Sequence, residues 1–345
     1  MGHRAGVISS AERDERGNWP GSAHEARRFI LDRLPGSSPV EGLSAEADHY
    51  GRAEEPAVLV EPSVIEEGPF RAIRVIAPDE PKGQSGFTGF LDGTQRITIV
   101  NQREGIPIVW ATVSAAVRVR VDRRMISWPT RAPIVSGRFY VPLRYLGPLA
   151  DDLRADPRIV DTAKDSAEDK IPSRHPAALM EAAVKKVQFD REKVETELAE
   201  AWCESEKGTL YVDGSLTGSR VSSQADRVIG VIKSHRRLYA EGDAFRVLVN
   251  LRAGERTSMF RVDPQSRNRF SVASWYVRIR EAAGHDALFG LLRIEAALTP
   301  DLSARADEIS RWIIAEGSPL ALPDGRWDKM AYGIRDTEEF LRAIS

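Results

Sequence analysis

Across residues 177–206 the apolar side chains Leu179, Val184, Val187, Val194, Leu198 and Trp202 recur at helical spacing, and Gly208 stops the run. Positions three, four and seven apart fall on one side of an α-helix, so this segment carries a long apolar stripe that must be buried against something. The stretches before and after it read as strands. Ahead of it stand apolar runs at residues 87–91, 97–100 and 106–121; within the last, Val117-Arg118-Val119-Arg120-Val121 alternates as a strand with one wet face does. Behind it come runs at residues 209–212, 228–232, 245–251, 258–262, 272–279 and 289–298. The economical architecture is α/β: a mixed sheet, opened by a β-meander, with helices packed against it. Two more helices close the chain. One is led by Thr299-Pro300-Asp301 and runs to about Glu316; the other covers residues 327–344.

Residues 1–55 are rich in Gly, Ser, Pro and charge, and read as a partly flexible N-terminal appendage with one amphipathic helix at residues 23–34. Residues 56–345 form the main domain. Within it, residues 151–176 are polar and contain Pro157, Pro172 and Pro176, as a long surface connection would. With 345 residues, 42% of them hydrophobic and 29% charged, the chain can bury a large core. The single cysteine, Cys203, excludes an internal disulfide framework and suits a reducing compartment. No apolar run reaches the length of a membrane span, Met1-Gly2-His3-Arg4 does not open a signal peptide, and Gly6 stands where a myristoylation signal needs Ser or Thr. The expectation is a cytoplasmic protein with no membrane partner. A net charge of −2 means that any nucleic acid must be held by a local basic groove or with the help of another protein.

Two short motifs carry chemistry. Phe90-Leu91-Asp92-Gly93-Thr94 places an acid at the end of an apolar run, and Tyr211-Val212-Asp213-Gly214-Ser215-Leu216 repeats the arrangement. Each Asp-Gly alone is an ordinary turn signal. Two acids at strand ends, however, can converge on one side of a sheet and share a divalent cation. Phosphodiester hydrolysis uses that geometry: hard cations about 4 Å apart, held by carboxylates, activate a water and stabilise the departing oxygen. Other chemistries lack their residues. The histidines (His3, His24, His49, His175, His235 and His285) are scattered and no cysteine pair exists, which argues against structural zinc. Neither Gly-x-x-x-x-Gly-Lys-[Ser/Thr] nor Gly-x-Gly-x-x-Gly occurs, so nucleotide hydrolysis would come from another protein. Cys203, inside the long helix with no histidine close in sequence, reads as packing rather than as a nucleophile.

Taken in order, several segments resemble the NurA family of nucleases over about residues 85–345. They are Asp92-Gly93-Thr94, the long helix, Val212-Asp213-Gly214-Ser215-Leu216, Gly230-Val231-Ile232-Lys233-Ser234, Gly254-Glu255-Arg256-Thr257 through Phe260, Trp275-Tyr276-Val277-Arg278 and Arg293-Ile294-Glu295. The resemblance implies an RNase H-like sheet related to the catalytic domain of Argonaute. It also implies a nuclease that needs Mn²⁺ or Mg²⁺ and acts on DNA ends and single-stranded DNA. A homodimer working beside a HerA-like hexameric ATPase, in DNA end processing or anti-phage defence, belongs to the same implication.

By this resemblance Asp92 and Asp213 are the first two metal ligands, and a glutamate of the long helix is the third. Among Glu192, Glu195 and Glu197, Glu195 lies at the edge of the apolar face, ahead of Leu198 and Trp202. NurA proteins complete the site with a histidine on their last helix, whereas no histidine follows His285 in this chain. Asp336 is the expected replacement, with Asp328 in reserve, because carboxylate serves a hard cation as imidazole does. Lys233, followed by His235, Arg236 and Arg237, is expected to neutralise a phosphate or charge developing on it. Arg236, Arg256 and Arg278 are the other expected DNA contacts, Arg278 because it shares a strand with Trp275 and Tyr276, as a base-stacking surface would. The missing histidine keeps open an alternative, a catalytically weak or inactive NurA-like subunit for DNA binding or assembly. A third reading is an unrelated α/β protein in which the Asp-Gly pairs are turns.

Overall fold

The Asp92-Gly93 pair does not turn the chain. In the computed structural model, which describes residues 22–39, 57–164, 171–263, 269–317 and 329–345, it lies inside one long strand, β1 (Phe87–Arg103). The reversal comes later, at Glu104 and Gly105, both at positive φ, and β2 (Ile106–Val121) returns antiparallel to β1 over its whole length. β3 (Ile134–Val141) pairs antiparallel with β2 and completes the meander. Helix α2 (Pro176–Ser205) follows, with His175 as its N-cap and Pro176 in the first helical position, where a missing N–H costs nothing. It delivers the chain to β4 (Thr209–Asp213), which runs parallel to β1, and β5 (Val228–Ile232) lies parallel on the other side of β4.

The order β3–β2–β1–β4–β5 is that of an RNase H-like sheet, an antiparallel meander joined through a helix to two parallel strands. Beyond β5 the sheet continues antiparallel through β7 (Leu291–Ala296) and β6 (Val272–Arg278). The mixed sheet flanked by helices that the sequence predicts is therefore present. Residues 245–251 are the exception among the apolar runs: most of that segment is a helix, Asp243–Val249.

Pleating sorts the two faces. On one, Leu91, Leu210 and Val212 pack against Leu198 and Trp202 of α2. On the other, Phe87, Phe90, Tyr211 and Val231 pack against Ile309 and Ile313 of α3 (Leu302–Glu316) and Ile334 of α4 (Tyr332–Ile344). Burying each such side chain contributes about 1.5–3 kcal/mol, so both faces hold the central strands firmly. Helix α2 lies close on β1 because two residues facing it are glycines. A methyl group on Gly89 would strike the Trp202 ring, and one on Gly93 would strike the Glu195 carboxylate.

The amphipathic stretch near the N-terminus is helix α1 (Ala23–Arg33), whose N-cap Ser22 accepts from Glu25 N. It buries Ala26, Phe29 and Ile30 against Val100, Ile108 and Phe139, so it shares the core of the sheet. Residues 1–21 and 40–55 of the expected appendage lie outside the described residues, as does Asp328. The polar connection holds regular structure too: helix Leu149–Arg154, and strand Ile159–Asp161 parallel to β3. No helix among the described residues is long and apolar enough to cross a membrane.

Candidate active site

Parallel pairing of β4 with β1 sets Val212 opposite Leu91, so the next residues, Asp213 and Asp92, lie side by side on neighbouring strands. On the far side of β4, Val231 stands opposite Asp213, and Lys233 follows two residues later. The Lys233 ammonium donates to Asp213 Oδ2 at 2.5 Å. Glu195 arrives from α2 through the space that Gly93 leaves open. One turn earlier on the helix, Arg191 donates to Glu195 Oε1 and, at 3.5 Å, to the Gly93 carbonyl. Asp92 is 8% exposed; its Oδ1 accepts from Gly93 N at 2.7 Å, and its other oxygen accepts no hydrogen bond among the described residues.

These groups form one electrostatic unit. Burial, then the charge of Asp213, drives the Asp92 carboxyl well above the usual carboxylate range; Lys233 opposes the shift and Glu195 adds to it. Burial also pushes Glu195 up to about 7, with Arg191 acting against the shift and Asp213 and Glu192 reinforcing it. Burial works against a charged Lys233, but Asp213 and Asp92 outweigh it and hold the ammonium above its ordinary value. His235 is different. Burial takes it down to about 4, and its ring nitrogen Nε2 lies 2.7 Å from the Leu291 carbonyl, so it is a neutral structural group.

The loop that leaves Asp213 is held by a residue to which the sequence assigns no role. Glu295, fully buried on β7, accepts from Ser215 Oγ at 2.8 Å and from Leu216 N at 2.9 Å with the same carboxylate oxygen. Arg293 lies 2.9 Å from its other oxygen. Gly230, opposite Glu295, lets the loop pass, since a side chain there would strike the Gly214 carbonyl. The available signal was an acid embedded in the apolar run Leu291–Ala296, because a buried charge has to be paired. Beside Asp213 opens a cleft of about 110 Å³, lined in part by Arg191, Glu192, Glu195, Ser215 and Arg269.

Three expected site residues need correction. Asp336 does not join the acids: its Oδ1 accepts from Arg118 Nε at 2.7 Å, and Arg118 is also held by Ser127 Oγ and the Met125 carbonyl. The alternation of Arg118 and Arg120 looked like a wet strand face, but α4 and α3 cover it and supply Asp336 and Glu316 as partners. On α4 the acid whose charge reaches Lys233 is Glu338. Arg256 is buried, bound to Glu66 and Asp307, and Arg278 is fully buried with its guanidinium on the carbonyls of Phe289, Leu248 and Ala287. Trp275 and Tyr276 are buried as well, because β6 is an interior strand with both faces covered. None of these four side chains is placed to touch a nucleic acid. Arg236 is exposed, three residues beyond Lys233.

The donor set suits a hard divalent cation. It is all oxygen, and Asp92 is crowded by Asp213 while one of its own oxygens accepts no hydrogen bond. At the same time, no group of three or more His, Cys, Asp or Glu side chains among the described residues is arranged to hold a metal ion. Asp213 and Glu195 are instead each paired with a cation of the chain, Lys233 and Arg191.

No family model matches this sequence, and no curated protein matches it. Among solved structures, the chain is similar to the NurA nuclease from Sulfolobus solfataricus, at 10% identity over 81% of each chain and with a TM-score of 0.42.

Proposed function

We propose that this chain is a divalent-metal-dependent deoxyribonuclease whose site comprises Asp92, Asp213 and Glu195, with Lys233 beside them. The observation that supports the reading is that a second strand acid, Asp213, and a helix acid, Glu195, stand near enough to the buried Asp92 carboxyl for their charges to act on it. Mn²⁺ or Mg²⁺ bound there would polarise the phosphodiester and lower the pKa of the attacking water. The chain's residues do the rest. Asp92 and Asp213 offer hard oxygens, and Glu195, at about 7, exchanges a proton with ease at neutral pH. Lys233 presents positive charge to a phosphoryl oxygen, and Arg191 and Arg269 border the cleft through which a strand would pass.

DNA ends and single strands as substrates, a homodimer and a HerA-like hexameric ATPase partner are proposed from the order of the sequence motifs, as is a role in end processing or anti-phage defence. A partner also suits the charge distribution, since Arg256 and Arg278 are buried and the net charge is −2. The test is cleavage of linear and single-stranded DNA with Mn²⁺, with Mg²⁺ and with chelator. Cleavage that needs metal and disappears in Asp213→Asn, while folding and DNA binding persist, is the expected result.

A second reading, a catalytically weak or inactive DNA-binding or assembly subunit, is favoured by one observation: Lys233 and Arg191 already neutralise two of the three acids. DNA binding without cleavage under every metal condition, alone or with a HerA-like ATPase, would establish it.

A further inference from the structure

We infer that Lys233 takes the place of a second metal ion, so that the site binds a single divalent cation. This rests on the metal-dependent reading above. A two-ion site needs carboxylate oxygen shared between the ions and further donors on the outer side of each. Here the Lys233 ammonium lies 2.5 Å from Asp213 Oδ2 and so occupies one of the two oxygens that Asp213 could offer to ions. The helix acid is committed as well: Arg191 is paired with Glu195. What stays open is the Asp92 oxygen without a hydrogen bond and the remaining oxygen of Asp213, which together suffice to hold one ion.

Charge points the same way. Lys233 and Arg191 already place two positive charges among Asp92, Asp213 and Glu195. Two divalent cations would crowd four more into a partly buried site, where the interior screens like charges poorly. A lysine is a compact point charge with several donors, able to bond a phosphoryl oxygen but unable to activate a water as a divalent ion does. The division of labour would follow: a divalent ion held by Asp92 and Asp213 would supply the activated water, and Lys233 would bond a phosphoryl oxygen.

The experiment counts Mn²⁺ bound to the full chain without DNA, by loss of the free-ion signal in electron paramagnetic resonance. It compares the wild type with Lys233→Met and Lys233→Arg, and uses Asp92→Asn to identify which ions belong to the site. One site ion in the wild type and in Lys233→Arg, rising to two in Lys233→Met, is the expected pattern. Two site ions in the wild type overturn the inference and leave the metal-dependent reading standing. A single ion of unchanged affinity in folded Lys233→Met overturns it as well. No site ion at all in the wild type removes both. The wild-type count decides even where a variant fails to fold.

Discussion

Glutamine at position 195 tests whether the buried helix acid is held against its preference for charge. Glu195 has an ordinary value of 4.5 and sits at about 7 in the folded protein, chiefly through burial. A carboxyl raised by folding binds its proton more tightly in the native state. Its contribution to stability is therefore fully present below about pH 4.5 and is lost as the pH rises through about 7. A gap of roughly 2.5 units at 1.36 kcal/mol per unit is about 3 kcal/mol. The side chain is 12% exposed, so solvent screening takes little from this figure.

Glutamine keeps the shape of the side chain and cannot ionise. Urea unfolding of the wild type and Glu195→Gln, without metal, at about pH 4 and about pH 8, gives the stability difference at each pH. That difference is expected to move by about 3 kcal/mol in favour of the variant between the two. Effects of the substitution that do not depend on pH cancel when only the change is read. The raised Asp92 carboxyl gives a trend of the same sign in both proteins and cancels to first order. A difference that does not vary with pH would refute the reasoning, because it would mean that Arg191 neutralises Glu195 fully and the acid is an ordinary ion-pair partner.

Other substitutions separate the site from its surroundings. Gly93→Ala puts a methyl group into the Glu195 carboxylate, pushes that side chain away and should abolish metal-dependent cleavage while the fold persists in urea unfolding; full activity in a cleavage assay would disconnect Glu195 from the chemistry. Asp336→Ala removes the acid paired with Arg118 and should cost about 1–3 kcal/mol in urea unfolding while cleavage persists; a folded, inactive variant would return Asp336 to the site. Arg256→Ala leaves Glu66 and Asp307 without their shared partner and should cost about 3–5 kcal/mol, with the salt dependence of DNA binding unchanged; a folded variant with a shallower salt slope would make Arg256 a phosphate contact.

The sheet was legible because its signals are local. Apolar runs marked most of the strands, the stripe from Leu179 to Trp202 marked α2, and a repeated acid after an apolar run marked Asp92 and Asp213. The cation partners were not legible in this way. Arg118, Arg256 and Arg278 each look like a solvated or DNA-facing base in their own segment. Their surroundings are set by α4, by Glu66 and Asp307, and by the carbonyls of Phe289, Leu248 and Ala287. Nothing within a few residues of an arginine states whether a helix from the far end of the chain will cover it.

The two Asp-Gly pairs show the same limit within the site. Gly214 has φ 154° and turns the chain out of β4 beneath the carboxylate of Glu295, so the turn reading is right for that pair. Gly93 continues β1 through the middle of the sheet, and its lack of a side chain admits Glu195 from α2. One dipeptide thus serves a backbone conformation in one place and a close approach in the other. What tells them apart is a glutamate roughly a hundred residues away, in α2 for Gly93 and in β7 for Gly214. Only the folded sheet brings Glu195 to Gly93, and Glu295 to the two residues after Gly214. It follows that a search for related sites should weigh the pairing of a strand glycine with a helix acid across the sheet above the Asp-Gly motif itself, since that pairing is what carries the third carboxylate to the other two.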